Sequence, residues 1–205
     1  YQARRLAYGL GLTGNTAKLA ADLFDKLAVA FPTVAEYPGS FARTCGRFGR
    51  LLQQTDRPVE AVAVYDRAID RINAPVVRSG SAEVRAALRA DRATALAAAG
   101  RAGEAVTEVA ELRALSGWDA TQWYDFACVY AVASGQIAGK RAEYADAAME
   151  MLSTAVTAGD KNAAHMKRDK DLDPLRDRND FRKLFADLEQ KYPPKREVLP
   201  APRRE

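Results

Sequence analysis

Cysteine and histidine are nearly absent from this 205-residue chain, which has two of the first, Cys45 and Cys128, and one of the second, His165. Two cysteines without a CxxC pair imply no disulfide framework and fit a reducing compartment, so a cytoplasmic location is expected. A single histidine excludes a multi-histidine metal centre and leaves no second imidazole to share acid–base work. Long apolar runs are missing too. Nothing approaches the roughly 18 residues of a membrane span, and no charged, apolar, small-residue order opens the chain as a signal peptide would. Tyr1 stands where an initiator Met would be, and the expectation is a piece or a processed form of a longer protein.

Strand-like alternation is scarce as well. Apolar residues make up 48% of the chain and recur mainly at spacings of three and four, which is the helical period. An all-α fold follows. The 31 Lys and Arg are interleaved with 27 Asp and Glu through most of the length, so the net charge of +4 reads as a solvated surface. No nucleic acid is expected as partner, and the bases of the tail, Lys195, Arg196, Arg203 and Arg204, are consistent with solubility alone.

The periodic segments divide into hairpins. Residues 1–12 carry Leu6, Tyr8, Leu10 and Leu12 and read as a first helix. From Thr16, a candidate N-cap, Leu19, Ala20, Leu23, Phe24, Leu27 and Phe31 predict an amphipathic helix that Pro32 stops. A second hairpin opens near Tyr37 and Pro38, turns at Thr55 to Pro58, and returns through Ala61, Tyr65 and Ala68, with Pro58 suited to a first helical position. Ser81 is a candidate cap for a third, whose helix over 87–99 turns at Gly100 to Gly103 and returns through Ala105, Val109 and Leu112. A fourth follows Gly117, with a long loop expected over 134–140. A short helix over 162–167, a last helix over 179–191 bearing Phe181, Leu184, Phe185 and Leu188, and a Pro-rich tail complete the chain.

In the fourth hairpin Trp123, Phe126, Ala127 and Tyr130 share one helical face, and Ala148, Leu152 and Ala155 follow at spacings of four and three. That order resembles a tetratricopeptide repeat, in which small residues permit close helix approach. Ala20, Ala61, Ala105 and Ala148 recur 41, 44 and 43 residues apart, above the usual spacing of about 34 and therefore implying longer helices or linkers. The resemblance implies a right-handed α-solenoid: four hairpins over residues 1–159, a C-terminal helical cap over 160–191, and an extended or disordered tail over 192–205. A narrower likeness lies in residues 124–131, in Ala164-His165-Met166-Lys167, and in Asp171-Leu172-Asp173-Pro174-Leu175-Arg176 with Phe181. These stretches resemble the C-terminal repeat regions of bacterial serine/threonine protein kinases, planctomycete ones in particular. The resemblance implies a kinase-associated recruitment or regulatory region.

No catalytic constellation accompanies it. The Asp-Phe pairs are Asp125-Phe126-Ala127 and Asp180-Phe181-Arg182, and His165 precedes Met166, so a kinase core is missing and no enzyme is expected. Gly9 to Gly14 spell GxGxxG, but the residues before them read as helix and not as the strand that a nucleotide turn requires. Asp169, Asp171, Asp173, Asp177 and Asp180 match calcium-loop places, yet Pro174 occupies the position that needs glycine. Helix caps and pairs with Arg176, Arg178 and Arg182 are expected instead, and neither a cofactor nor a metal.

The resemblance also places the first helix of each unit on the concave surface, where such proteins hold extended peptides. Its groove positions fall on Arg43, Gly46, Arg50, Gln53 and Gln54, with Arg47 adjacent and Gln2 and Arg5 contributed by the first unit. Further along they fall on Ala87, Ala90, Thr94, Ala97, Ala98, Tyr124, Cys128, Ala131 and Val132. The groove is expected to be basic at one end and small and apolar at the other. Its expected partner is a peptide with acidic or phosphorylated residues, which arginine grips with two parallel hydrogen bonds. Self-association into a homo-oligomer without a peptide ligand is the alternative.

Overall fold

A computed structural model describes residues 14–31, 34, 36–73 and 82–192, and every regular element among them is helical. The expected helix over 1–12, the cap at Ser81 and the tail beyond Tyr192 lie outside the described residues. Among those described, no helix is long and apolar enough to cross a membrane.

The first described helix, α1 (Gly14–Ala30), buries Ala17, Ala20, Ala21, Phe24 and Ala28. Leu19, Leu23 and Phe31, expected on the same stripe, are exposed. A period of 3.6 defines an apolar arc without saying which edge of it meets a neighbour, and the column of small residues takes the contact. Next come α2 (Glu36–Gln54) and α3 (Pro58–Asn73). The turn between them carries Asp56 at φ 57°, and Pro58 begins α3, where its missing N–H costs nothing. Gly49 of α2 is needed for the pair to close. A Cβ there would stand 2.3 Å from the fully buried ring of Tyr65.

The helix α4 (Ala82–Ala98) starts earlier than residue 87, and α5 (Ala102–Leu112) follows after Gly100 takes φ 78°. Asp119 then caps α6 (Ala120–Gln136), its carboxylate accepting from the N–H of Thr121 and Gln122 while Gln122 reaches back to the Asp119 N–H. The long loop expected over 134–140 is mostly helix. Ser134 is buried, and its hydroxyl donates to the Ala131 carbonyl at 2.7 Å, so it continues α6 instead of opening a turn. A 3-10 turn (Ala138–Lys140) leads directly into α7 (Arg141–Thr157). After Gly159, Asn162 caps α8 (Ala163–Arg168), a 3-10 segment spans Lys170–Leu175, and α9 (Asn179–Lys191) closes the described chain.

Helices consecutive in the chain from α1 to α7 pack on one another, so that α2 with α3, α4 with α5 and α6 with α7 form pairs. In addition α2 packs on α4 and α4 on α6, while the 3-10 segment Lys170–Leu175 returns onto α6. Ala20, Ala61, Ala105 and Ala148, one each in α1, α3, α5 and α7, have no exposed surface. Charged pairs also tie neighbouring helices together. Asp25 of α1 accepts from Arg67 and Arg71 of α3. The buried Glu108 of α5 accepts from Arg89 and Arg92 of α4, and Arg92 also reaches Asp66 of α3 at 2.7 Å.

Aromatic packing on α6 differs in depth from residue to residue. Phe126 is fully buried, with Trp118 and Trp123 edge-on to it at centroid separations of 5.2 and 5.9 Å, whereas Trp123 itself is half-buried. Tyr130 meets Tyr144 of α7 edge-on at 5.7 Å. At the other end, Phe181 and Leu188 of α9 are buried, and Leu184 and Phe185 are half-buried against the same core.

Two stability predictions follow from this packing. Phe126→Ala lowers the free energy of unfolding by about 3–5 kcal/mol, because a fully enclosed ring leaves a cavity behind; Trp123→Ala costs less, since its ring already meets water. Urea unfolding of both variants checks the order, and equal losses would contradict it. Gly49→Ala costs about 1–3 kcal/mol by driving a methyl group into Tyr65, and an unchanged urea midpoint would show that the α2–α3 pair absorbs the methyl.

Candidate functional site

The helices α2, α4 and α6 turn one row of side chains each toward a common cavity of about 300 Å³, which the segment after α8 borders. Arg50, Gln53 and Gln54 come from α2 at helical spacing; Asp91, Thr94 and Ala97 come from α4. Tyr124, Asp125, Cys128, Val129 and Val132 come from α6, and His165, Asp169 and Asp171 from the C-terminal segment. Of the residues expected to form a groove, Arg50, Gln53, Gln54, Thr94, Ala97, Tyr124, Cys128 and Val132 are thus brought together. Arg43 is exposed on α2 and Arg47 half-buried, both outside the cavity lining. Arg5 lies outside the described residues.

The α2–α4 wall is cross-linked by polar side chains. Arg50 Nη1 donates to Asp91 Oδ2 at 2.5 Å. Gln53 Nε2 donates to the Tyr65 hydroxyl at 3.0 Å, and its Oε1 accepts from Thr94 Oγ1 at 3.1 Å. Both ends of the Gln53 amide are therefore used in holding α2, α3 and α4 in register. Among the described residues the one arginine of the lining, Arg50, is likewise engaged by a carboxylate.

The opposite wall is acidic. The Tyr124 hydroxyl donates to Asp169 Oδ2 at 2.7 Å, and Cys128 Sγ lies 3.8 Å from the same oxygen. Asp169 Oδ1 accepts from the Asp171 N–H at 3.0 Å, and its backbone carbonyl accepts from Arg176 Nη2 at 2.7 Å. His165 Nε2 stands 3.6 Å from Asp169 Oδ2 with its ring tilted against Tyr124, at the exposed rim. Downstream aspartates pair as expected: Asp173 with Arg176, Asp180 with Arg178, and Asp177 with Arg182. Asp169 and Asp171 escape that pairing and line the cavity.

Four carboxylates and one guanidinium around so small a space shift its protonation. Burial pushes Asp125 from the ordinary 3.8 up to about 7, and the negative charges of Asp91, Asp119 and Asp169 add to the effect while Arg50 opposes it. Burial likewise raises Asp91 and Asp171. The Cys128 thiol is raised well above its usual value by burial and then by Asp169, and burial pushes Cys45 up to about 12. Neither sulfur is held as the thiolate that nucleophilic catalysis requires. Cys128 Sγ and the carboxylates of Asp169 and Asp171 approach within 4.8 Å of one another, a three-donor set for a cation. A thiol held protonated makes a poor member of that set, since metal ligation needs the thiolate.

The charge of the lining departs from expectation. Instead of a basic end and a small apolar end, Asp91, Asp125, Asp169 and Asp171 join the positions read from the repeat pattern. Asp91 and Asp125 were legible in principle: Asp91 is three residues before Thr94, and Asp125 three before Cys128, so each shares its helix face with an expected groove residue. Asp169 and Asp171 carry no such signal, because a non-repeating segment delivers them.

Comparisons of the chain with family models, with curated proteins and with solved structures found no match.

Asp125 gives the site a pH signature. Its folded value exceeds its unfolded one, so the folded state binds the proton more tightly, and stability present at low pH is lost as pH rises through about 7. Asp125→Asn removes this loss: the variant melts higher than the wild type above about pH 7, and its stability varies less between about pH 4 and pH 7. Thermal melts across that range measure it. Parallel curves for the two proteins would mean that Asp125 titrates like a solvent-exposed carboxylate.

Proposed function

We propose that this chain is a protein–protein interaction scaffold built of tetratricopeptide-like hairpins stacked as a right-handed α-solenoid, which holds an extended peptide across α2, α4 and α6. The observation that carries the reading is that eight residues picked from the repeat pattern as groove positions, spread over three helices, line one cavity. The packing of α2 on α4 and α4 on α6 supports it, since successive first helices side by side make a continuous surface. So does the full burial of the four alanines that recur in the second helices. The likeness of residues 124–131 and 164–181 to kinase C-terminal repeat regions favours recruitment of substrates or regulators to a serine/threonine kinase of a bacterial cytoplasm.

A second reading, self-association, is favoured by one specific feature. Leu19, Val29 and Phe31, on and just after α1, are 67%, 59% and 52% exposed, an apolar set of the kind that a partner surface covers.

Selection of a randomised peptide library on the whole chain, repeated with Val132→Trp, tests the main reading. Val132 is half-buried in the lining, and an indole there fills the cavity while leaving the helix spacing of α6 intact. Selected peptides are expected to bind the wild type and to lose binding to Val132→Trp at unchanged circular dichroism. Peptides indifferent to Val132→Trp, or an absence of binders together with concentration-dependent mass in sedimentation, would replace the peptide groove by the self-association reading.

A further inference from the structure

Formal charge around the cavity is strongly one-sided. Arg50 is neutralised by Asp91 at 2.5 Å, which leaves Asp125, Asp169 and Asp171. Among the described residues Asp125 and Asp171 have no salt-bridge partner, and Asp169 has only His165 at 3.6 Å. The carboxylates of Asp169 and Asp171 lie within 4.8 Å of one another and repel in a partly buried space, and among the described residues no lysine or arginine side chain pairs with either. The third side is apolar: Ala97, Val129 and Val132 border the same space. Carboxylates grouped beside an apolar strip match a side chain with a hydrocarbon stem and a cationic head.

The cavity's size narrows the choice further. About 300 Å³ is at the lower limit of small-molecule sites and admits a single side chain of a longer ligand. An anionic group would meet the carboxylates of Asp125, Asp169 and Asp171, while Arg50, the expected groove arginine that lines the cavity, is already held by Asp91. A divalent ion would have to displace the proton of the buried Cys128 thiol to gain its third donor, whereas an ammonium or guanidinium needs only the carboxylates.

We infer that the partner residue entering this cavity is an arginine or lysine of an extended peptide, its stem along Val129 and Val132 and its head between Asp125, Asp169 and Asp171. This reverses the acidic or phosphorylated partner expected from the sequence, and it rests on the reading of the cavity as a peptide site. Arginine suits the geometry better than lysine, because a planar guanidinium donates to two carboxylates at once.

The test is selection of a randomised peptide library, with a phosphoserine-bearing companion set, on the whole chain and on Asp125→Asn, Asp171→Asn and Val132→Trp. Enriched peptides are expected to carry Arg or Lys, to be blocked by Val132→Trp, and to weaken about tenfold with either Asn variant, the loss of one charge-assisted hydrogen bond. Their affinity for the wild type should also fall as salt rises, a measurement that needs no variant. Acidic or phosphorylated peptides blocked by Val132→Trp would overturn the cationic inference and leave the peptide groove standing. Binders blind to Val132→Trp, or none at all, would overturn the groove reading and this inference with it. Calorimetric titration with Zn²⁺ and with Mg²⁺ completes the set: binding abolished by Asp171→Asn would assign the carboxylates to a metal and overturn the inference.

Discussion

Close approach of neighbouring helices is the constraint on which the rest of this structure depends. Interhelical distance is set by the side chains at the contact, and many of the buried residues here are alanine. Ala20, Ala61, Ala105 and Ala148 have no exposed surface, and Gly49 leaves room for Tyr65 where any Cβ would collide. Small residues lose little side-chain entropy on burial and bring backbones near enough for larger groups to interlock around them. Phe126 then fills what remains between α6 and its surroundings, flanked by Trp118 and Trp123.

The same spacing places the polar groups. With α2, α4 and α6 side by side, Gln53 spans from Tyr65 to Thr94, and Arg50 reaches Asp91 one helix away. Elsewhere the buried Glu108 gathers the part-exposed Arg89 and Arg92, and Arg92 also engages Asp66. A pair of this kind adds little net stability over an apolar substitute, but breaking it strands a charge, so it penalises wrong registers of α4 against α3 and α5. The cavity wall is the exception to this economy of pairing. Among the described residues Asp125 and Asp171 line it without a salt-bridge partner, and Asp125 is shifted upward by burial first and by Asp91, Asp119 and Asp169 next. Natural folds keep such unrelieved charge where it serves recognition or chemistry more often than elsewhere.

Local signals in the sequence were enough to locate most elements. Pro58 at a helix start, the short helix over 162–167 to within a residue at each end, and the last helix at Asn179–Lys191 were all legible, because caps, breakers and the 3.6 period act over a few residues. A boundary failed where a residue's local preference was overruled by its surroundings: Ser134 continues α6 because its hydroxyl finds a carbonyl one turn back. On α1 the period gave the helix but not its contact column, and Leu19 and Phe31 ended up outside.

For the site, sequence by itself determined the rows that α2, α4 and α6 present, since positions three and four apart on one helix must share a face. It could not determine the sign of the charge where those rows meet. Asp91 and Arg50 cancel only because two helices lie adjacent, and Asp169 and Asp171 reach Tyr124 and Cys128 only because the chain folds back onto α6 about forty residues later. Electrostatic character is a sum over everything brought within a few ångströms, whatever its distance along the chain. That sum, and with it the chemistry of what the cavity receives, was decided by the tertiary structure alone.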